Sequence, residues 1–534
     1  MCVLIICTTL IPASAKNSCD CGYPPVIYVA ALGSATLYLD ADTENEKVLF
    51  RPETETYLKL VGDLLLPIAK LTVDKDYDAF GDSLIAGVDS VFGMLKMDEN
   101  GDSTDRVTTK EELPTDPEHG VDRSYYFGYD LREDPLTVAD KLNEFIKQVK
   151  KITGHDSVLL RASSMGGVMT MAYFYKYGTR GIDACIFQCC PIQGTAVAGD
   201  LFTKQMKIDP DALLRYASQL PLDEPWQTGL LNGVLQLLYK CGVFHALTDV
   251  ADNLLAELMD RVFDEFMYPV FGSMPGIWSF VPHDNYELAK SMVFDENTSS
   301  KLISRLDEYH YNVQCRAGEI LRTAKSDGVK IMIVAGYNEQ RTPLVVSDAS
   351  NSDATVDAKY ASVGGTVADL GSTLPDGYTQ KKTACSHSHL CDDGVVDAST
   401  CALPENTWFI RDMLHSTTHD GHGKFYNLFF YTNEVDNVHA NEAYPQFMQN
   451  DVINQTFIPM STIPLDKTAP TQTEEKTTDT SVEETKADAP EEIEIVNAQT
   501  GSDENLTFVY VTCVIALAVL AMTVTLKKRK AKLN

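Results

Sequence analysis

Positive charge is scarce in this chain. Its 534 residues carry 44 Lys and Arg against 76 Asp and Glu, a formal net charge of -32. Phosphate binding wants clustered Lys and Arg, and the dense basic run Lys527-Lys528-Arg529-Lys530 sits at the very end, so no nucleic acid partner is expected. Metal-ligand spacing is also missing. Cys385, Cys391 and Cys401 lie near His387 and His389, but their irregular separations match no standard zinc pattern, so these read as disulfides or free thiols, and neither a metal nor another cofactor is expected. The acidic, mixed region from Glu44 to Val121 offers no site. Apolar residues are not lacking: at 44% hydrophobic the chain can build a large core, enough for one large domain with attachments or for two domains.

The ends of the chain read as membrane topology. Residues 506–526 form an uncharged run of 21, which as a helix would be about 32 Å long and match the roughly 30 Å hydrocarbon core. The basic run 527–534 that follows is a stop-transfer signal and predicts a short cytoplasmic tail. At the other end, Val3 to Ile11 is apolar and Ala13-Ser14-Ala15 is a cleavage-type triplet, so 1–15 is expected to be a signal peptide. Thr, Glu and Pro dominate 461–505, where 12 acidic residues face 3 basic ones, and such a tract cannot bury enough apolar surface to fold. The expected arrangement is a folded domain over 16–455 at the cell surface, a disordered acidic stalk and a single-pass transmembrane helix. Three of the 13 cysteines fall in the signal and the span, leaving an even ten, which suits disulfides in an oxidising compartment. Asn297-Thr298-Ser299 and Asn454-Gln455-Thr456 are glycosylation triplets for a host that glycosylates.

Within the domain, apolar strands alternate with helices. Pro25 to Ser34 reads as a strand running into a small-residue loop, and Tyr125 to Arg132 as an aromatic strand end. A helix follows with clear boundaries: Asp134 as cap, Pro135 in the first turn, Gly154 as terminator and a stripe of Leu136, Ala139, Leu142, Phe145, Ile146, Val149 and Ile152. Strand Val158 to Ala162, helix Gly167 to Tyr177 and strand Ala184 to Cys190 complete the alternation of a mostly parallel α/β sheet. From 191 to 312 it gives way to apolar helical runs, read either as a cap over the site with an apolar substrate channel or as a helical subdomain with its own core. Strands resume at Lys330 to Gly336 and Thr407 to Met413.

Chemistry is expected at Ala162-Ser163-Ser164-Met165-Gly166. A nucleophile elbow needs a serine at the tip of a sharp strand-to-helix turn, flanked at two residues' distance by small side chains so that the backbones can approach. The amide of Met165 then points at the space where an oxyanion would form. Beyond the two later strands come Asp353 and His415, in the Ser, Asp, His order of an α/β-hydrolase triad. Histidine must take the serine proton, and the carboxylate must hold the imidazole in the right tautomer. Asp393 is the alternative acid, within a segment that mimics that of Asp353; His419, His422 and His439 are alternative bases.

Taken together, these segments resemble the lecithin:cholesterol acyltransferase-like branch of the α/β hydrolases over most of Pro25 to Leu428. The resemblance rests on Val26 to Ser34, on Phe127 to Arg132, on the Ser164 elbow, on Pro191-Ile192-Gln193-Gly194-Thr195, on Met274-Pro275-Gly276-Ile277-Trp278, and on Asp353-Ala354-Thr355-Val356. It implies an α/β-hydrolase fold with an inserted helical cap, and cleavage of lipid or other apolar acyl esters, by hydrolysis or by O-acyl transfer to an alcohol. Ser164 would be the nucleophile, His415 the base, Asp353 its orienter, and the amides of Leu32 and Met165 the oxyanion donors. The chain has Ala30-Ala31 where the family has Pro-Gly, and Ala162-Ser163 where it has Gly-His. Both departures touch the oxyanion side. They leave open a second reading, in which the fold is kept as a catalytically inactive surface binding or adhesion module.

Overall fold

A computed structural model describes residues 19–460, except for position 20, nearly all of 50–75, most of 219–255, and residues 105, 208, 342–344, 384, 418 and 419. The expected signal peptide, stalk, membrane span and tail therefore lie outside the described residues, as does His419. Among the described residues, no helix is long and apolar enough to cross a membrane.

The centre is an eight-stranded sheet of β1 (Val26–Val29), β2 (Ser124–Phe127), β3 (Val158–Ser163), β4 (Ile182–Gln188), β5 (Lys330–Tyr337), β6 (Thr407–Arg411), β7 (Phe447–Asp451) and β8 (Thr456–Pro459). Their order across the sheet is β8-β7-β6-β5-β4-β3-β1-β2, and every neighbouring pair is parallel except β7 with β8. Parallel strands covered on both faces read as continuous apolar runs, and β4 and β5 do so: seven of the eight β5 residues are buried. Successive side chains alternate between two cores. Ile27, Val29, Leu160, Ala162, Ile331 and Ile333 enter one, while Val26, Leu159, Met332 and Val334 enter the other. The first core is closed by α1 (Pro135–Thr153), α2 (Met165–Tyr177) and α3 (Ala317–Ser326), the second by α4 (Asp420–Tyr431).

Local signals explain most of these boundaries. The Asp134 carboxylate caps α1 by accepting from the Leu136 amide, Pro135 opens it, and Gly154 ends it at φ 72°. The strands expected at Ala184 to Cys190 and Lys330 to Gly336 form within two residues of those bounds.

Between β4 and β5 the described elements are helical, and they carry a core of their own. Trp278 is buried against Phe202 and Phe294, at centroid distances of 4.7 and 4.9 Å, and its indole N–H donates to the Gly272 carbonyl at 2.9 Å. Trp278 and Met274 thus pack into the interior of a helical layer. The Gly276 amide donates to the Arg132 carbonyl at 2.9 Å and joins this layer to the segment after β2. There the fully buried Arg132 pairs with Asp130 at 2.6 Å and also donates to the Leu95 carbonyl and Ser103 hydroxyl. The expected disulfides are not formed: all nine described cysteines are free. Cys185, Cys189 and Cys190 are buried along and just after β4, and Cys391 and Cys401 are buried beyond β5.

Candidate active site

Ser164 stands between β3 and α2 with φ 50° and ψ -124°, a backbone conformation that side chains other than glycine's rarely adopt. The turn is held from three sides. The Ser164 amide donates to the Gln188 carbonyl at 3.0 Å, the Gly167 amide returns to the Ser164 carbonyl at 2.9 Å, and α2 presses directly on β1. At Gly166 a Cβ would lie 2.0 Å from the Val29 carbonyl oxygen, so only glycine allows that approach. Ala162, two residues before the serine, is fully buried and is tolerated at its position in β3.

His415 lies four residues beyond β6. Its Nε2 is 2.8 Å from Ser164 Oγ and its Nδ1 is 2.9 Å from Asp353 Oδ2. The three residues chosen from chain order are thereby brought into one hydrogen-bonded line. A carboxylate cannot donate, so Nδ1 carries the proton toward Asp353, and Nε2 offers its lone pair to the serine hydroxyl. Asp353 is 1% exposed; its Oδ1 accepts from the amides of Thr355 at 3.0 Å and Val356 at 2.6 Å. The His415 amide donates to the Asp353 carbonyl at 2.8 Å, which ties the two loops at the backbone as well. The His415 side chain is 16% exposed, so the line is not sealed inside the core.

The alternatives lie elsewhere. Asp393 accepts from the Tyr337 hydroxyl at 2.8 Å and faces Arg411 at 3.8 Å, so its carboxylate is engaged at the end of β5. His439 does not join the serine: its Nε2 lies 3.6 Å from Cys385 Sγ, and its ring stacks on His387. His422 is buried against Phe457. Leu32 is 39% exposed in the loop after β1, the strand beside β3, and Met165 is the first residue of α2. That loop is fixed by two tyrosines: Tyr129 donates to the Ala30 carbonyl at 2.7 Å and Tyr126 to the Ser34 carbonyl at 3.3 Å.

Several supporting residues carry no signal in the sequence. Gly336, near the end of β5, is wedged between the loops of acid and base: a Cβ there would fall 2.6 Å from the Met413 carbonyl oxygen and 2.8 Å from Asp353 Cβ. Asp357, fully buried, organises the acid loop. It accepts from the Ala196 amide at 2.8 Å and from Ser350, and it pairs with the equally buried Arg341 at 3.0 Å. Thr195 donates to the Thr355 carbonyl at 2.7 Å, so the start of the helical insertion is bound to the loop that holds the acid. Cys189 is buried nearby, and its thiol is pushed well above the ordinary range, first by burial and then by the Asp353 carboxylate. The Glu339 carboxyl is pushed up to about 8, chiefly by burial, with added repulsion from Asp412 and Asp353. Away from this site, two groups of Cys and His side chains converge to metal-ligand spacing.

No protein-family model matches the chain, and a search of curated proteins returns no match.

Proposed function

We propose that this chain is a serine hydrolase of the α/β-hydrolase type, resembling the lecithin:cholesterol acyltransferase-like branch, which cleaves lipid or other apolar acyl esters and passes the acyl group to water or to an alcohol. The observation that carries this reading is the line from Ser164 Oγ through His415 to Asp353, with contacts of 2.8 and 2.9 Å. In the proposed reaction Ser164 Oγ attacks the ester carbonyl while His415 Nε2 takes its proton, and Asp353 stabilises the imidazolium. The tetrahedral oxyanion is met by the amides of Met165 and Leu32. His415 then protonates the departing alcohol, leaving an acyl-Ser164 ester. Water or an acceptor alcohol, deprotonated by His415, releases the acyl group and restores the hydroxyl. The uncharged run at 506–526 further supports tethering at a membrane surface, with the hydrolase domain outside the cell.

The test is labelling of the full-length protein by a fluorophosphonate probe. Wild type should be labelled and Ser164→Ala should not. A correctly folded wild-type protein that stays unlabelled would sink this proposal in favour of the inactive surface module.

A further inference from the structure

Four side chains from three distant stretches meet at the sheet edge opposite Ser164. Cys19 and Cys21 precede β1, His119 precedes β2, and His155 lies in the turn between α1 and β3, all at the amino ends of parallel strands. Cys21 Sγ is 3.3 Å from His119 Nε2 and 3.4 Å from His155 Nε2, and Cys19 Sγ is 4.0 Å from His119 Nε2. All four ligand atoms fall within 4.8 Å of one another. A tetrahedral zinc ion with ordinary Zn–S and Zn–N bonds sets neighbouring sulfur and nitrogen about 3.6 Å apart. The observed separations bracket that value.

The surroundings orient one of the two histidines. His119 Nδ1 lies 3.0 Å from the Pro117 carbonyl, which can only accept, so Nδ1 bears the proton and Nε2 turns a bare lone pair toward the cysteines. The Cys19 amide donates to the Gly154 carbonyl at 3.1 Å, which holds the N-terminal segment next to His155. Cys21 Sγ faces both imidazoles at once, which is the placement a shared cation would use. Sulfur and imidazole donors exclude calcium and magnesium as the natural occupants.

We propose that Cys19, Cys21, His119 and His155 bind a structural zinc ion that clamps the segment before β1 to the rest of the sheet. Four protein ligands close the coordination sphere, which is the arrangement of a structural site. A second group, Cys385, His389 and His439, offers three donor atoms within 4.8 Å of one another and points independently to a second zinc ion with one coordination position open. Cys385 Sγ lies 3.3 Å from His389 Nε2, 3.6 Å from His439 Nε2 and 3.5 Å from His387 Nδ1. The Gln446 amide nitrogen donates to the Pro404 and Thr407 carbonyls, so its Oε1, 2.7 Å from His389 Nδ1, must accept. That fixes the proton on His389 Nδ1 and leaves Nε2 free to ligate. Cys391 and Cys401, which the sequence groups with these residues, take no part: Cys391 lies by Tyr337, and both are buried in a separate core.

Metal content by plasma mass spectrometry on the full-length protein, purified without chelator, tests both sites. Two zinc ions per chain are expected, falling to one in Cys21→Ser, to one in Cys385→Ser and to none in the double variant. Should a variant fail to fold, cobalt(II) titrated into the demetallated wild type must produce thiolate-to-cobalt charge-transfer absorption. Absence of bound zinc together with absence of that absorption would overturn the proposal, as would a Cys19–Cys21 disulfide found by thiol counting. Zinc content unchanged in either single variant would overturn the site concerned.

Discussion

Replacing Gly336 by alanine should pull the acid away from the base. The new methyl would lie 2.6 Å from the Met413 carbonyl oxygen and 2.8 Å from Asp353 Cβ. To reach ordinary contact the two loops must retreat by about 0.8 and 0.6 Å. Met413 is two residues before His415, and Asp353 carries the carboxylate itself, so the strain falls on the 2.9 Å contact between them. Opened beyond about 3.5 Å that hydrogen bond is lost, and the imidazole is no longer held for proton transfer. Overpacking of this kind costs about 1–3 kcal/mol in stability, which shifts the melting temperature of a large domain by only a few degrees. A misplacement near 1 Å costs on the order of 100-fold in rate. Gly336→Ala is therefore expected to remain folded and to lose about 100-fold in kcat/KM on a short-chain aryl ester. Gly423→Ala supplies the control, since a Cβ there meets nothing within 4 Å. Measuring ester turnover alongside circular dichroism decides it: a Gly336→Ala protein within threefold of wild type would refute the wedge.

Three further outcomes follow from the same geometry. Asp353→Asn should lower kcat by about 10⁴ by favouring the wrong imidazole tautomer, whereas Asp393→Asn should stay within a few-fold, and equal losses would show the acid to be misassigned. Asp357→Asn leaves Arg341 buried without its counter-charge and should cost about 3–5 kcal/mol in urea unfolding; a loss under about 1 kcal/mol would mean that the pair does not hold the loop. Glu339 should make stability fall as pH rises. With its folded value raised to about 8 from an ordinary 4.5, the native state keeps a proton that the unfolded chain has released between those values. Its contribution is complete below pH 4.5 and is lost through pH 8, so Glu339→Gln should flatten the pH dependence of the unfolding midpoint across that window, and an unchanged slope would count against the assignment.

What could be read from the sequence was local. The cap, first turn and terminator of α1 lie within one helix, and the serine turn needs only the small residues around it. Chain order then selected Asp353 and His415, because each lies on the loop after a recognisable apolar strand. The supporting contacts were not legible, since they join residues far apart in the chain. Asp357 meets Ala196 across 161 positions, and nothing near Gly336 marks it as a spacer between two later loops. Cys21 and His155 are separated by 134 positions, so no spacing rule groups them, and the same holds for His439, whose closeness to Cys385 was invisible beside its merits as a base. The strands β7 and β8 lie past the point where the family resemblance ends, and the half-buried alternation of β7 gave a weaker signal than the central strands.

The backbone at Ser164 carries a cost in stability. Holding a non-glycine residue at φ 50° and ψ -124° costs on the order of 1–3 kcal/mol, a sizeable share of the margin by which folded domains survive. Glycine would relieve that cost in a single substitution. A protein that used this fold only as a scaffold would gain stability by that change and lose nothing. Under the proposed function, that cost is the counterpart of setting the Ser164 hydroxyl 2.8 Å from His415 Nε2.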